Sequence, residues 1–272
     1  MPRLPLFKHP ILHFKNKWLH HKCKYAQVPK GTVPGEINGV KCVFDFDLGK
    51  MIKNMYCGSY EFETKRMIEK CLKPGTIFID IGANVGYFTA VGASRVGKTG
   101  QVHCFEPIPN YFAYIQKIVE LNPDYKIIAN DIALGEDNSR VSIASHQHNI
   151  GASSIVPNFV PKEDINETLN IQVRRLDEYI IENKLTNISL IKIDTEGFEF
   201  PVLLGASQFF DKNNLPYIIA EITPHAFDLM KKDLNELKDF MTSYGYKAYA
   251  ICGRHRIDIA KLTKQTDVLF KP

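Results

Sequence analysis

Thr76-Ile77-Phe78-Ile79-Asp80-Ile81-Gly82-Ala83-Asn84-Val85-Gly86, followed by Tyr87 to Val96, Gln101-Val102-His103-Cys104-Phe105-Glu106-Pro107 and Asn110 to Leu121, decides how the rest of the chain is organised. An apolar run ends in an acid, a Gly-rich turn follows, and helical spacing comes after it. A second apolar run then ends in another acid. Strand, turn, helix, strand and acid make up the first half of a nucleotide-binding βαβ unit. Glycine reaches positive φ and lets backbone approach a ligand closely. The start of the following helix offers unpaired N–H groups and a positive dipole end. Glu106 stands 20 positions after Gly86 (106 − 86), where a carboxylate can accept from both ribose hydroxyls.

The spacing separates two ligand classes. A dinucleotide fingerprint reads G-x-G-x-x-G, and Gly82-Ala83-Asn84-Val85-Gly86 lacks the middle glycine that admits a pyrophosphate. Asp80 just before the turn repels phosphate but can meet an amino group. S-adenosylmethionine (SAM) carries a carboxylate, an α-amino group and a sulfonium, and no phosphate, so it fits better than NAD. The bland alternative is a Gly-rich turn that binds nothing. Asp80 and Glu106 in register argue against it.

Upstream, residues 1–25 hold Arg3, Lys8, Lys15, Lys17, Lys22 and Lys24 with four histidines and no acid. Apolar residues from Leu6 to Leu19 interleave with them. An arm packed on the domain is the expectation; contact with an anionic membrane surface is the sharper alternative. Val40 to Phe46 alternates as a small β element after Asn38-Gly39, and Glu61 to Leu72 has helical spacing. The expected division is 1–60, an extension with a small β element, and 61–272, the main domain.

Downstream, Tyr125 to Asn130 reads as a third core strand. Residues 131–135 are expected to turn into a hairpin with Val141–Ala144. Residues 145–170 show little periodicity and read as a lid that orders with ligand, with His146 and His148 as surface residues. A helix to about Lys184 follows, then strand Ile188–Asp194, a short helix Val202–Phe210 and strand Tyr217–Ile222. His225 to Tyr244 reads as one long amphipathic helix. Tyr246–Cys252 and Thr266–Phe270 form a closing antiparallel pair. Alternating strands and helices imply a parallel sheet covered on both faces, with ligands outside the carboxyl ends of its strands. Asp80, Glu106, Asp131, Asp194 and Glu221 fall at such ends.

The composition is that of an ordinary globular chain: 272 residues, 44% hydrophobic, 24% charged, net charge +4. That charge is too small to point to nucleic acid. Six cysteines without a C-x-x-C pair read as reduced thiols, which implies a cytoplasmic setting. There is no membrane-spanning run and no signal-peptide pattern.

Several pieces together resemble the FkbM family of SAM-dependent methyltransferases. They are Phe78–Gly86, Phe105-Glu106-Pro107, Ala133-Leu134-Gly135, Gly151-Ala152-Ser153-Ser154, Arg175-Leu176-Asp177-Glu178 and Ile191-Lys192-Ile193-Asp194-Thr195-Glu196-Gly197-Phe198-Glu199. They span roughly residues 56 to 222. The resemblance implies a Rossmann-like class I methyltransferase: an α/β fold with a mostly parallel seven-stranded sheet, helices on both faces and a small N-terminal extension. It also implies a hydroxyl acceptor on a sugar, glycan or other small metabolite. Acceptor identity and oligomeric state are not legible.

For the cofactor the expected contacts are Asp80, Gly82, Asn84, Gly86, Glu106, Pro107, Asp131 and Ile132. For catalysis they are Asp194, Lys192, Glu196 and Glu221. Lys192 and Asp194, two apart on a strand, share a face. Asp194 is the expected base or acceptor-orienting group, with Lys192 steadying the forming alkoxide. No resident metal is expected, although Asp194, Glu196 and Glu221 could hold a divalent cation. A helix-capping role for Glu196 and a charge-balancing role for Lys192 are the bland readings. The competing functions are an RNA methyltransferase, a non-catalytic SAM-binding scaffold and an NAD-dependent oxidoreductase.

Overall fold

The computed structural model describes residues 17–19, 21, 23–146, 151–210, 215–252 and 254–272. The basic arm of residues 1–25 lies mostly outside this set, and so does His148.

The elements, in chain order, start with hairpin β1 (Thr32–Ile37) and β2 (Val40–Asp45), helices α1 (Lys50–Tyr56) and α2 (Phe62–Cys71), and strand β3 (Ile77–Ile81). Helix α3 (Tyr87–Val96), β4 (Gln101–Phe105), α4 (Pro109–Leu121), β5 (Lys126–Asn130), β6 (Ala133–Leu134), β7 (Ser139–His146) and β8 (Ile165–Arg174) follow. Next come α5 (Leu176–Glu182), β9 (Ile188–Ile193), α6 (Glu199–Leu204), α7 (Ser207–Phe210) and β10 (Tyr217–Ile222). The chain closes with α8 (Pro224–Met230), α9 (Leu234–Ser243), β11 (Lys247–Ala250) and β12 (Thr266–Lys271).

Seven strands form the main sheet in the order β11-β12-β10-β9-β3-β4-β5. All are parallel except at one edge, where β12 runs antiparallel to both β10 and β11. Every residue of β3 is buried, because helices cover both faces. This is the expected α/β architecture. One core cluster holds Ile79, Ile191, Phe200 and Phe227. The other holds Phe78, Val91, Ile115 and Leu190. Ile37, Val40, Cys42 and Phe44 of the N-terminal hairpin belong to that second cluster. The boundary at residue 60 therefore divides segments of chain that share one core. The six cysteines are unlinked. Among the described residues no helix is long and apolar enough to cross a membrane.

Three sequence expectations need correction. First, residues 131–135 do not form a hairpin with Val141–Ala144. Strand β8 lies between them, parallel to β6 and antiparallel to β7. Second, the described residues of the stretch 145–170, which are 145, 146 and 151–170, are not structureless. Ser154 bridges to Ala144, and β8 begins at Ile165. The alternation Ile165, Leu169, Ile171, Val173 was the overlooked signal. Third, the helix expected over His225–Tyr244 breaks at Lys231, which takes φ 55°. Asp233 accepts from the Asn235 amide, and Glu236 accepts from the Asp233 amide, both at 2.8 Å. This capping box starts α9 afresh.

Candidate active site

The Gly turn spends its own amides. Gly82 N–H and Ala83 N–H donate to the Phe105 carbonyl at 3.0 and 2.9 Å. Asn84 N–H donates to Glu106 Oε2 at 2.8 Å, Val85 N–H to Asn84 Oδ1 at 2.8 Å, and Gly86 N–H to the Ala83 carbonyl at 2.8 Å. Gly82, Asn84 and Gly86 all take positive φ, 76°, 51° and 82°. Glycine is obligatory at 82, since a Cβ there would lie 1.8 Å from the Asp194 carbonyl oxygen. With all five amides engaged, the turn has no amide left to cradle a pyrophosphate.

Glu106 closes β4 and is 5% exposed. Besides Asn84 N–H it accepts from Ile108 N–H at 2.9 Å. Burial lifts its carboxyl to about 7 despite those two bonds.

The second half of the site comes from the end of β9. Lys192 is buried and its Nζ donates to Asp194 Oδ2 at 2.8 Å. The same Nζ sits 4.8 Å from the centroid of the Phe88 ring. Burial works against the ammonium, but Asp194, Asp80 and Glu61 outweigh it, so its pKa is raised. Thr195, Glu196 (φ 53°) and Gly197 (φ 102°) turn over the site. Glu199 holds that turn: its Oε1 accepts from Thr195 N–H at 2.8 Å, Thr195 Oγ1 at 3.0 Å and Gly197 N–H at 3.0 Å. The carboxyl of Glu196 is pushed up to about 9 by burial, then by Asp194 and Glu199. That of Glu221 is held well above its ordinary range by burial, then by Asp194. One oxygen each of Asp194, Glu196 and Glu221 lie within 4.8 Å of one another, close enough to gather round one cation.

The two halves meet at a cavity of about 260 Å³. Of the expected cofactor contacts, Gly82, Asn84, Glu106, Pro107 and Ile132 line it. Asp80, Gly86 and Asp131 do not. Asp80 sits opposite Lys192 in the sheet, is fully buried and accepts from Thr89 Oγ1 at 2.7 Å. It therefore lies behind the cavity wall, where its Oδ1 has no hydrogen-bond partner. Gly86 lies against Ile115 and Ile118 of α4, and Asp131 is exposed. Of the expected catalytic residues, Asp194, Glu196 and Glu221 line the cavity, while Lys192 supports Asp194 from below. Sequence reasoning missed Tyr60, Glu61 and Gln265, which share the wall. Their places depend on how distant segments close over the sheet, and no local motif marks them. Five carboxylates line the cavity: Glu61, Glu106, Asp194, Glu196 and Glu221. Among the described residues no Lys, Arg or His does.

The family described as the methyltransferase FkbM domain matches residues 80–248. The chain belongs to the FkbM methyltransferase family. The match begins at Asp80, at the Gly turn, and takes in the Asp194–Glu199 turn and Glu221. A curated relative, "Methyltransferase 1" of Beauveria bassiana, is 27% identical over 158 residues, which is 51% of this chain and 63% of that protein. "2-O-methyltransferase NoeI" of Sinorhizobium fredii is 24% identical over 166 residues, 56% of this chain and 66% of that protein. The matched parts thus span just under two thirds of these relatives. The solved FkbM methyltransferase of Methylobacillus flagellatus superposes with a TM-score of 0.46 at 17% identity, covering 81% of this chain and 54% of that one.

Proposed function

We propose that the chain is a SAM-dependent O-methyltransferase acting on a hydroxyl of a sugar, glycan or other small polyhydroxylated metabolite. The observation that carries the reading is the lining of the cavity: five acidic side chains, no Lys, Arg or His among the described lining, and a turn whose amides are all spent. Such a cavity disfavours a diphosphate and suits a ligand bearing sulfonium and ammonium charges. It equally disfavours the phosphates of an RNA acceptor. Family membership supports methyl transfer, and the 2-O-methyltransferase named among the relatives supports a hydroxyl acceptor.

Within this reading Glu106 would hold the ribose hydroxyls with the lone pairs left after its two backbone bonds. Ile132, Pro107 and Phe105 would cover the base. When bound, SAM supplies a methyl group already activated on sulfur. The chain's part is then alignment and proton handling. Asp194, fixed by Lys192, would orient the acceptor hydroxyl. Asp194 would also take the released proton, and the neighbouring Glu196 and Glu221 carboxyls, whose pKa values are raised by burial and by Asp194, would surround it with groups able to share hydrogen bonds. Asp194, Glu196 and Glu221 could also seat a divalent cation, but three acids alone do not argue for one.

Calorimetric titration with SAM, its demethylated product and NAD, followed by labelled methyl transfer to a panel of methyl glycosides and RNA, tests the reading. Tighter binding of SAM than NAD and transfer to a glycoside are expected. NAD bound as tightly as SAM, or transfer to RNA alone, would overturn it.

A further inference from the structure

The donor contacts and the acids Asp194, Glu196 and Glu221 all lie inside the segment matched by the family, residues 80–248. Met51, Tyr60, Glu61 and Gln265 line the same cavity from outside it. We propose that Glu61, held in place by Tyr60 and the first turn of α2, is a specificity-determining residue of the acceptor end, accepting hydrogen bonds from the hydroxyls of an uncharged, polyhydroxylated acceptor. This rests on the methyltransferase reading above.

Four observations carry it. Glu61 adopts φ 35° and ψ 56°, a left-handed conformation that costs any residue with a Cβ. Glycine or asparagine would take it more easily. Glu61 stands at the N-cap of α2, yet its side chain makes no capping bond. Serine, threonine, aspartate or asparagine would serve the helix better there. The carboxyl faces the cavity instead, near enough to Asp194 and Lys192 to feel both charges.

The placement is also rigid. Lys65 N–H donates to the Glu61 carbonyl at 2.9 Å, closing the first helical turn. Thr64 Oγ1 donates to Asp267 Oδ2 at 3.0 Å, tying that turn to β12 beside Glu221. The Tyr60 ring meets the Tyr87 ring edge-on at 5.3 Å and the Phe88 ring at 5.9 Å. A strained backbone, a forgone cap and a braced carboxyl in the cavity are what a binding residue shows, and a residue serving only the helix would show none of them. Carboxylates and an aromatic ring suit a neutral polyol, whose hydroxyls donate. They repel an acceptor with phosphate or carboxylate beside the reacting hydroxyl.

The test uses the full chain with Glu61→Gly and Glu61→Gln. Glycine relieves the left-handed strain, so its melting temperature should hold or rise and its SAM affinity should stay near native. For the glycoside that the native chain methylates best, assayed at about pH 9 where the Glu61 carboxyl is ionised, KM should rise roughly 10–100-fold, the loss of a charged hydrogen bond, and the ranking of glycosides should flatten. Glutamine, which keeps one acceptor oxygen, should fall between. A glycine variant with native KM and native ranking would overturn the proposal. So would one in which SAM affinity and melting temperature fall together with activity, since that marks a structural role. If the native chain binds SAM but methylates no glycoside, the O-methyltransferase reading falls first and takes this one with it.

Discussion

Replacing Glu106 by alanine separates its two duties. The carboxylate is 5% exposed and accepts from Asn84 N–H and Ile108 N–H. Removing it leaves two largely buried amides without their acceptor, about 1–3 kcal/mol each, or about 2–6 kcal/mol together. Against that, burying the carboxylate is itself unfavourable. Its lift from 4.5 to about 7 is worth about 3 kcal/mol, which the truncation returns at neutral pH and above. The net change in stability should therefore lie between about 1 kcal/mol gained and about 3 kcal/mol lost. The fold survives while SAM affinity drops by about 1.5–3 kcal/mol, roughly 10–150-fold, for the lost charged acceptor of the ribose. Urea unfolding gives the first quantity and calorimetric titration at pH 7 the second. An unchanged dissociation constant would refute the reasoning, since Glu106 would then serve only the turn.

Further outcomes follow from the same geometry. Asp267, Glu106, Glu199, Glu61 and Glu196 sit at about 6, 7, 7, 8 and 9, all above their ordinary values and each chiefly through burial. A carboxyl whose folded value exceeds its unfolded one stabilises the fold fully only below the unfolded value, so their joint contribution to the ligand-free chain should fall as pH rises from about 4.5 to 9. Urea midpoints across that range measure it, and a midpoint rising with pH would contradict the burial argument. Asp194→Asn should lower turnover by about 10²–10⁴-fold, read by labelled methyl transfer, and full turnover would move the base to Glu196 or Glu221. Gly82→Ala forces a Cβ to within 1.8 Å of the Asp194 carbonyl oxygen, backbone against backbone. It should abolish SAM binding and lower the melting temperature, and a native-like variant would show that the two turns can part.

The order of strands and helices in the core is legible from local pattern alone, because β3 and β4 are short apolar runs closed by an acid and the turn between them needs its glycines. The sequence also brought Glu106, Asp194, Glu196 and Glu221 to strand ends, and in a parallel sheet strand ends converge on one rim. Which residues of these strands line the cavity depends on tertiary structure. Asp80 and Lys192 occupy register positions opposite each other and turn inward, a relation between strands 112 positions apart (192 − 80) that no local pattern carries. The strand over residues 165–174 was legible in its alternation, but its insertion between β6 and β7 was not, because pairing depends on which edge is free. Glu61 and Gln265 come to line one cavity only after α2 and β12 have docked on the sheet. The cavity wall formed by Tyr60, Glu61 and Gln265 is thus a product of long-range packing, while the half around Gly82 and Glu106 is written locally in the glycine turn.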